Sequence, residues 1–262
     1  MKMIAEAGLY PVLETAGDML VRRLGAVADL TAGEVQALHR LSGDFIAVKA
    51  LQDIRLEGDE NPCLYFLARG WITSSICLAN GKRQVVAVHV DGELIGASSL
   101  PFLHAVDTLT PLTDCLISLI PSAQLGAIFA EQPRLGGFFF VAAQRKRVAL
   151  MDNLLMLGRL SARQGFAAFL LTLFDRKAGS PEAGRQSIYI PMNQDQFSDV
   201  LGISAMHVSR TIKSLELDGY ITRTGRTFHF VDLPRLRKFA RMPERSINRR
   251  LSWLPHPEAG RA

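Results

Sequence analysis

Between Asn193 and Thr227 the chain gathers side chains able to hold a polyanion. Ser204, Ala205, Met206, His207, Ser209, Arg210 and Lys213 sit at the start of a predicted short helix, on or beside one face. An arginine in that place can donate two parallel bonds to O6 and N7 of a guanine. Ser209 can bond a base edge or a phosphate, His207 can donate to guanine N7 or to a phosphate, and Lys213, one turn on, lies near a backbone. Asn193 and Gln194, with the free amides of a helix start, can hold a phosphate. Arg223, Thr224, Arg226 and Thr227 could do the same from a hairpin. Any one of these residues alone also fits a solvated surface, so their grouping has to carry the reading.

The elements that must position them are legible. Asn193 is the predicted cap of a helix over Gln194–Leu201, with Phe197, Val200 and Leu201 at apolar spacing. Gly202 ends that helix, because glycine suits a left-handed terminal residue. Ser204 caps a second helix through Leu217, with Val208, Ile212 and Leu215 pointing inward. Two short helices joined by a tight turn form a helix-turn-helix unit. A strand at Ser187–Ile190 precedes it. A hairpin over Tyr220–Arg223 and Thr227–Val231, turning at Thr224-Gly225-Arg226, follows it as a wing.

Charge agrees with this placement. The chain has 262 residues and a net charge of +5. Residues 1–183 carry 17 basic and 18 acidic side chains, whereas residues 184–262 carry 13 and 7. The positive excess therefore lies wholly in the last third, where it would attract polyanions. Apolar residues make up 48% and charged residues 21%, the balance of a globular protein. No apolar run reaches the length of about 18 that a membrane helix needs. The N-terminus lacks a secretory pattern, so a cytoplasmic protein is expected. Three cysteines (Cys63, Cys77, Cys115) with no C-x-x-C make a disulfide framework or zinc site unexpected. No phosphate-binding glycine loop, Gly-x-Ser-x-Gly elbow or His-Glu-x-x-His is present, so no enzyme is expected.

Residues 45–120 read as short strands: Phe45–Ile54, Leu64–Ile72, Thr73–Leu78, Gln84–Val90 and Cys115–Ile120. Turn signals separate them, as in a β-sandwich or barrel. Asn80-Gly81 predicts a type I′ hairpin, whose two central residues both need positive φ. Residues 122–178 read as helix. The stretch from Arg134 to Leu157 is apolar on more than one face in its second half, at Val148, Met151, Leu154 and Leu155 among others. Such a helix must be covered on two sides. We read the second cover as another copy of the chain; full burial within one chain is the alternative. Ser161 is the predicted cap of a further helix through Phe174, and residues 178–184 read as a loop. Overall this is an α+β chain.

Met192–Ala240 resembles the winged helix-turn-helix of the CRP/FNR transcription regulators. Leu30–Leu41 resembles that family's first helix, Ile54–Ile72 its early β-roll, Gly92–Leu100 the segment around its ligand cassette, and Leu157–Leu173 its junction to the DNA-binding domain. The resemblance implies a jelly-roll sensor like a cyclic-nucleotide-binding domain (residues 30–130), a dimerisation helix (131–160) and a Crp-type winged domain (161–240). An N-terminal arm (1–29) and a basic tail (241–262) flank them. It also implies a homodimer on two-fold related half-sites of double-stranded DNA, with recognition helices about 34–36 Å apart and RNA polymerase as a protein partner. A ligand-sensing module acting only through protein contacts is the alternative.

The departures from the family matter as much. The cassette Gly92, Glu93, Gly96, Ala97, Ser98 is degenerate: Ala97 follows Gly96, and the family's arginine and hydroxyl positions fall near Ala105 and Val106. No arginine or lysine lies between Gly96 and Cys115. The positions that would meet a base fall near Leu150 and Met151. Cyclic AMP and cyclic GMP are therefore not expected as effectors, and the effector is left open. With three cysteines, none before Cys63, no iron–sulfur cluster is expected. His39, His89 and His104 could ligate a haem, against the plainer reading of surface or satisfied histidines; no cofactor is expected. Met206 replaces a glutamate common in the family's reading head, so a cytosine contact should be lost there.

Overall fold

The computed structural model describes residues 14–60, 63–177, 186–243, 245 and 253–254. The chain forms two compact units. One holds the residues up to Ile72 and Asp91–Lys146; the other holds Thr73–Val90 and Arg147–Arg245. No helix among the described residues is long and apolar enough to cross a membrane.

The first unit opens with helices α1 (Ala16–Gly25) and α2 (Ala32–Leu41). Thr15 and Thr31 start them with capping boxes to Asp18 and Glu34, which satisfy otherwise orphaned amides. The β-roll has a four-stranded antiparallel sheet of order β1 (Phe45–Val48), β7 (Cys115–Pro121), β2 (Cys63–Arg69), β5 (Glu93–Ile95). Its register is set by pairs such as Leu64↔Ile120 and Phe66↔Ser118, with a bulge between Leu67 and Arg69. Strand alternation divides the core. Leu64, Phe66 and Ala68 pack with α1, α2, helix α3 (Ser122–Glu131) and the start of helix α4 (Pro133–Arg159). Cys63, Tyr65 and Leu67 face a second cluster with Ile95, Leu109 and Ile117. Strand β2 is thus apolar on both faces, which hides the alternation that marks a half-exposed strand.

Several sequence expectations are corrected here. The strand expected over Phe45–Ile54 ends at Val48, because residues 49–52 turn: the Gln52 amide donates to Lys49 O at 3.2 Å and Leu51 takes φ +64°. Strands β5 and β6 (Thr108–Pro111), of three and four residues, are not among those expected. Residues 16–25, within the expected arm, form a capped helix that buries Leu20 and Leu24. The loop expected at residues 178–184 lies outside the described residues, as does most of the basic tail.

The second unit carries the hairpin of β3 (Ile72–Cys77) and β4 (Arg83–His89), the C-terminal part of α4, and helix α5 (Ala162–Lys177). It continues through β8 (Ser187–Tyr189), α6 (Gln194–Leu201), α7 (Ala205–Leu217), β9 (Ile221–Thr224), β10 (Thr227–Phe230) and α8 (Leu233–Ala240), with a sheet of order β8-β10-β9. The β3–β4 turn is not type I′. Among the described residues only Leu51 and Arg241 combine positive φ with a side chain, so Asn80 stays in ordinary φ space while Gly81 reaches +78°. Gly81 N–H donates to Leu78 O, and Leu78 N–H to Lys82 O. This is the three-residue hairpin in which a type I turn is completed by a left-handed glycine. Arg83 pairs with Asp199 at 2.9 Å, and Gln84 Nε2 donates to Asp199 O at 2.7 Å, tying β4 to the end of α6.

Candidate nucleic-acid interface

An aromatic cluster fixes the frame. Phe166 on α5, Phe197 on α6 and Phe228 on β10 approach one another at centroid distances of 5.3, 5.8 and 6.0 Å. Rings at these separations and inclinations gain edge-to-face attraction beyond their buried area. Helix α6 begins at Asn193, whose side chain accepts from the Gln196 amide at 2.8 Å while Gln196 Oε1 accepts from the Asn193 amide at 2.9 Å. It ends at Gly202 (φ +65°), whose N–H donates to Ser198 O. Ser204 then caps α7, accepting from the His207 amide at 3.3 Å. Val208, Thr211, Ile212 and Leu215 are buried against the frame.

That burial pattern decides what α7 presents outward. Ser204, Met206, His207, Ser209, Arg210 and Lys213 are exposed and Ala205 is half-buried. Asn193 and Gln194 are exposed at the start of α6, but the capping box already uses the Asn193 and Gln196 amides, which leaves fewer donors there for an anion. On the wing Arg223, Thr224 and Arg226 are exposed and Thr227 is half-buried. One concavity of about 390 Å³ brings Ser204, Met206, His207 and Arg210 together with Arg163, Thr211 and Ser214. Sequence reasoning missed Arg163 and Thr211. The signal for Thr211 was present: it occupies an inward position between Val208 and Leu215, and a polar residue at such a position is the informative kind.

Along α4, Met151 and Leu154 are exposed, and Val148 and Leu155 are half-buried. Leu150, Leu154 and Leu157 are 50%, 71% and 46% exposed. The intrachain burial weighed as an alternative is therefore not what the described residues form.

In the cassette, Glu93 and Gly96 are buried, Gly92 and Ala97 half-buried, and Ser98 exposed. No guanidinium lies between Gly96 and Cys115 in sequence, but Arg55 reaches the cassette in space. Its side chain is 2% exposed and paired with Asp107, 7% exposed. Arg55 Nη2 also donates to Ser99 Oγ at 3.1 Å, and Ser99 Oγ accepts from the Val106 amide at 3.2 Å. A Cβ on Gly96 would come 3.2 Å from Arg55 Nη1, so the guanidinium lies against the cassette itself. The Asp107 carboxylate thus balances the charge of the buried Arg55 guanidinium.

Cys63 and Cys115 are buried on β2 and β7, and Cys77 is exposed on β3. His89 is held by Ser74 at 2.8 Å, His39 lies 3.6 Å from Asp18, and His104 is exposed. Among the described residues no three His, Cys, Asp or Glu side chains gather as a metal site.

Comparison with known proteins gives two domain matches: residues 45–132 to the cyclic nucleotide-binding domain and residues 166–239 to the Crp-like helix-turn-helix domain. The chain is 30% identical over 193 residues to the nitrogen fixation regulation protein FixK of Rhizobium meliloti, covering 71% of this chain and 82% of that one. It is 27% identical over 206 residues to FixK of Bradyrhizobium diazoefficiens, covering 78% and 84%. The solved structure of FixK2 from Bradyrhizobium japonicum shares the fold, with a TM-score of 0.69 at 21% identity over 78% of this chain and 99% of that one.

Proposed function

We propose, for a chain that belongs to the CRP/FNR family of transcription regulators and carries its helix-turn-helix DNA-binding domain, that it works as a homodimer on two-fold related half-sites. The observation that carries the DNA contact is the outward face of α7: Ser209, Arg210 and Lys213 exposed on a helix whose opposite face is locked by Val208, Ile212 and Leu215; the exposed Leu150, Leu154 and Leu157 of α4 support the second copy. Arg210 reads a guanine; Lys213 and the wing residues Arg223 and Arg226 hold phosphates. The protein acts by binding, not catalysis, and RNA polymerase is the partner that turns binding into regulation. Residues 30–130 sense and residues 161–240 bind.

Cyclic AMP and cyclic GMP do not operate this sensor. The support is the Arg55–Asp107 pair. A cyclic phosphate would have to displace a carboxylate already bonded to the guanidinium and leave it buried and unpaired, a loss of several kcal/mol. Neither haem nor an iron–sulfur cluster has a part in this reading.

The test is selection of bound sequences from a randomised duplex pool, followed by affinity measurement. Arg210→Ala should cost about 1–3 kcal/mol on the selected operator and relax one position. Lys213→Ala should weaken all sequences alike. An Arg210→Ala protein with unchanged discrimination would overturn the docking. Calorimetric titration with either cyclic nucleotide should show no micromolar binding.

A further inference from the structure

The concavity beside α7 gathers cationic and hydroxyl side chains. Its lining includes Arg163, Ser204, His207, Arg210, Thr211 and Ser214, and no carboxylate. Two buried polar atoms there, Thr211 Oγ1 and Arg163 Nε, have no hydrogen-bond partner among the described residues. Thr211 is 2% exposed. A buried hydroxyl without a partner is costly, so this one calls for an acceptor that the described residues do not supply. Arg163 is held ready rather than consumed. One Nη pairs with Asp218, which caps the far end of α7, and the guanidinium lies over the Phe239 ring at 5.4 Å. Those contacts orient the fork, and its buried Nε–H is left without an acceptor among the described residues.

We propose that this concavity takes a backbone phosphodiester of bound DNA, with Arg163 Nε–H and Thr211 Oγ–H as donors. The inference rests on the DNA-binding reading and adds a contact to it. Its ligand is a phosphate of the duplex rather than a free ion because Arg210 belongs both to the concavity and to the groove-facing set. A phosphate on the groove edge would then sit where the base-reading helix brings it. The clamp would fix the register of α7 and be indifferent to sequence.

The test uses the full-length protein and a random-sequence duplex, with fluorescence anisotropy across a salt series. Thr211→Val keeps the shape and removes the orphaned hydroxyl. It should unfold at the same or a higher temperature and bind every duplex about three- to tenfold more weakly. Arg163→Gln should lower the slope of log K against log salt by about 0.9 for each protomer bound. Asp218→Asn separates a contact from a scaffold. If Arg163 only braced Asp218, this variant would behave like Arg163→Gln; if Arg163 meets DNA, it should bind as tightly as the parent or more so, with the full slope. Equal slopes for the parent and Arg163→Gln, or unaltered affinity in Thr211→Val, overturn the clamp. Thermal stabilisation by millimolar inorganic phosphate, lost in Arg163→Gln while the DNA slopes coincide, would assign the site to a free anion and overturn it as well. A parent protein that binds no duplex at any salt would remove the DNA-binding reading itself, a distinct result.

Discussion

Arg55 and Asp107 are both buried, and each is the other's counter-charge. Deleting one partner of such a pair leaves an uncompensated charge in a low-dielectric site, whereas replacing both with apolar groups removes the desolvation cost too. Asp107→Ala should therefore lower unfolding free energy by about 3–5 kcal/mol, while Arg55→Met with Asp107→Leu should regain most of that loss. Urea unfolding of the two proteins decides it; a cost below about 1 kcal/mol for Asp107→Ala would place the pair in a wet site. Cys115 gives a second prediction at this scale. Burial raises its thiol from an ordinary 9.0 to about 11, while its single Sγ–H is shared between Thr113 O at 3.2 Å and Trp71 O at 3.4 Å. Between pH 9 and 11 the unfolded chain ionises this thiol and the folded chain does not, so stability falls as pH rises through that window. Urea midpoints should drop between those values, and Cys115→Ala should flatten the drop.

Elements follow from a few local choices. Gly202 stands at φ +65° with no atom within 4 Å of where a Cβ would lie. Gly202→Ala should thus cost backbone strain alone, about 1 kcal/mol, with the α6–α7 packing intact. A larger loss by thermal unfolding would mean that the turn itself rearranges. The same residue shows why this part of the chain was legible: Asn193, Gly202 and Ser204 punctuate two helices whose inward positions keep helical spacing, so local chemistry and tertiary packing agree. The β-roll was less legible. Strand β5 is three residues long, and β2 is buried on both faces, so neither offers a period. At Asn80-Gly81 the dipeptide pointed to a hairpin, but one extra loop residue changed the turn type. No arginine lies near the cassette in sequence, yet the Arg55 guanidinium lies against Gly96 in space. The compensating Arg55 lies 52 residues from Asp107 in the chain, a distance across which no local pattern can speak. Arg163 was hidden because the apolar run that follows it draws the reading toward core.

On the proposed two-fold reading two copies of α7 meet one duplex, and the exposed leucines of α4 are the surface proposed to join them. Arg147, Leu150, Leu154 and Leu157 follow spacings of three, four and three residues, the repeat of a coiled-coil seam, and all four are exposed. A leucine left 71% exposed at the centre of such a seam gains about 1.5–3 kcal/mol once a partner covers it, and it does so twice in a symmetric pair. Leu154→Glu instead puts two like charges face to face at the axis. The expected outcome is a monomer at micromolar concentration by sedimentation velocity, with helix content unchanged by circular dichroism. Affinity for a two-half-site operator should fall at least about 100-fold, because each half-site then binds without its tethered neighbour. The basic excess of residues 184–262 would remain, so weak salt-dependent binding to any duplex should survive the substitution. Loss of the specific mode with retention of the non-specific one is the signature of a broken two-fold axis. If Leu154→Glu still sediments as a dimer and still protects both half-sites, the axis runs through another surface, and the spacing of the recognition helices cannot be set by α4.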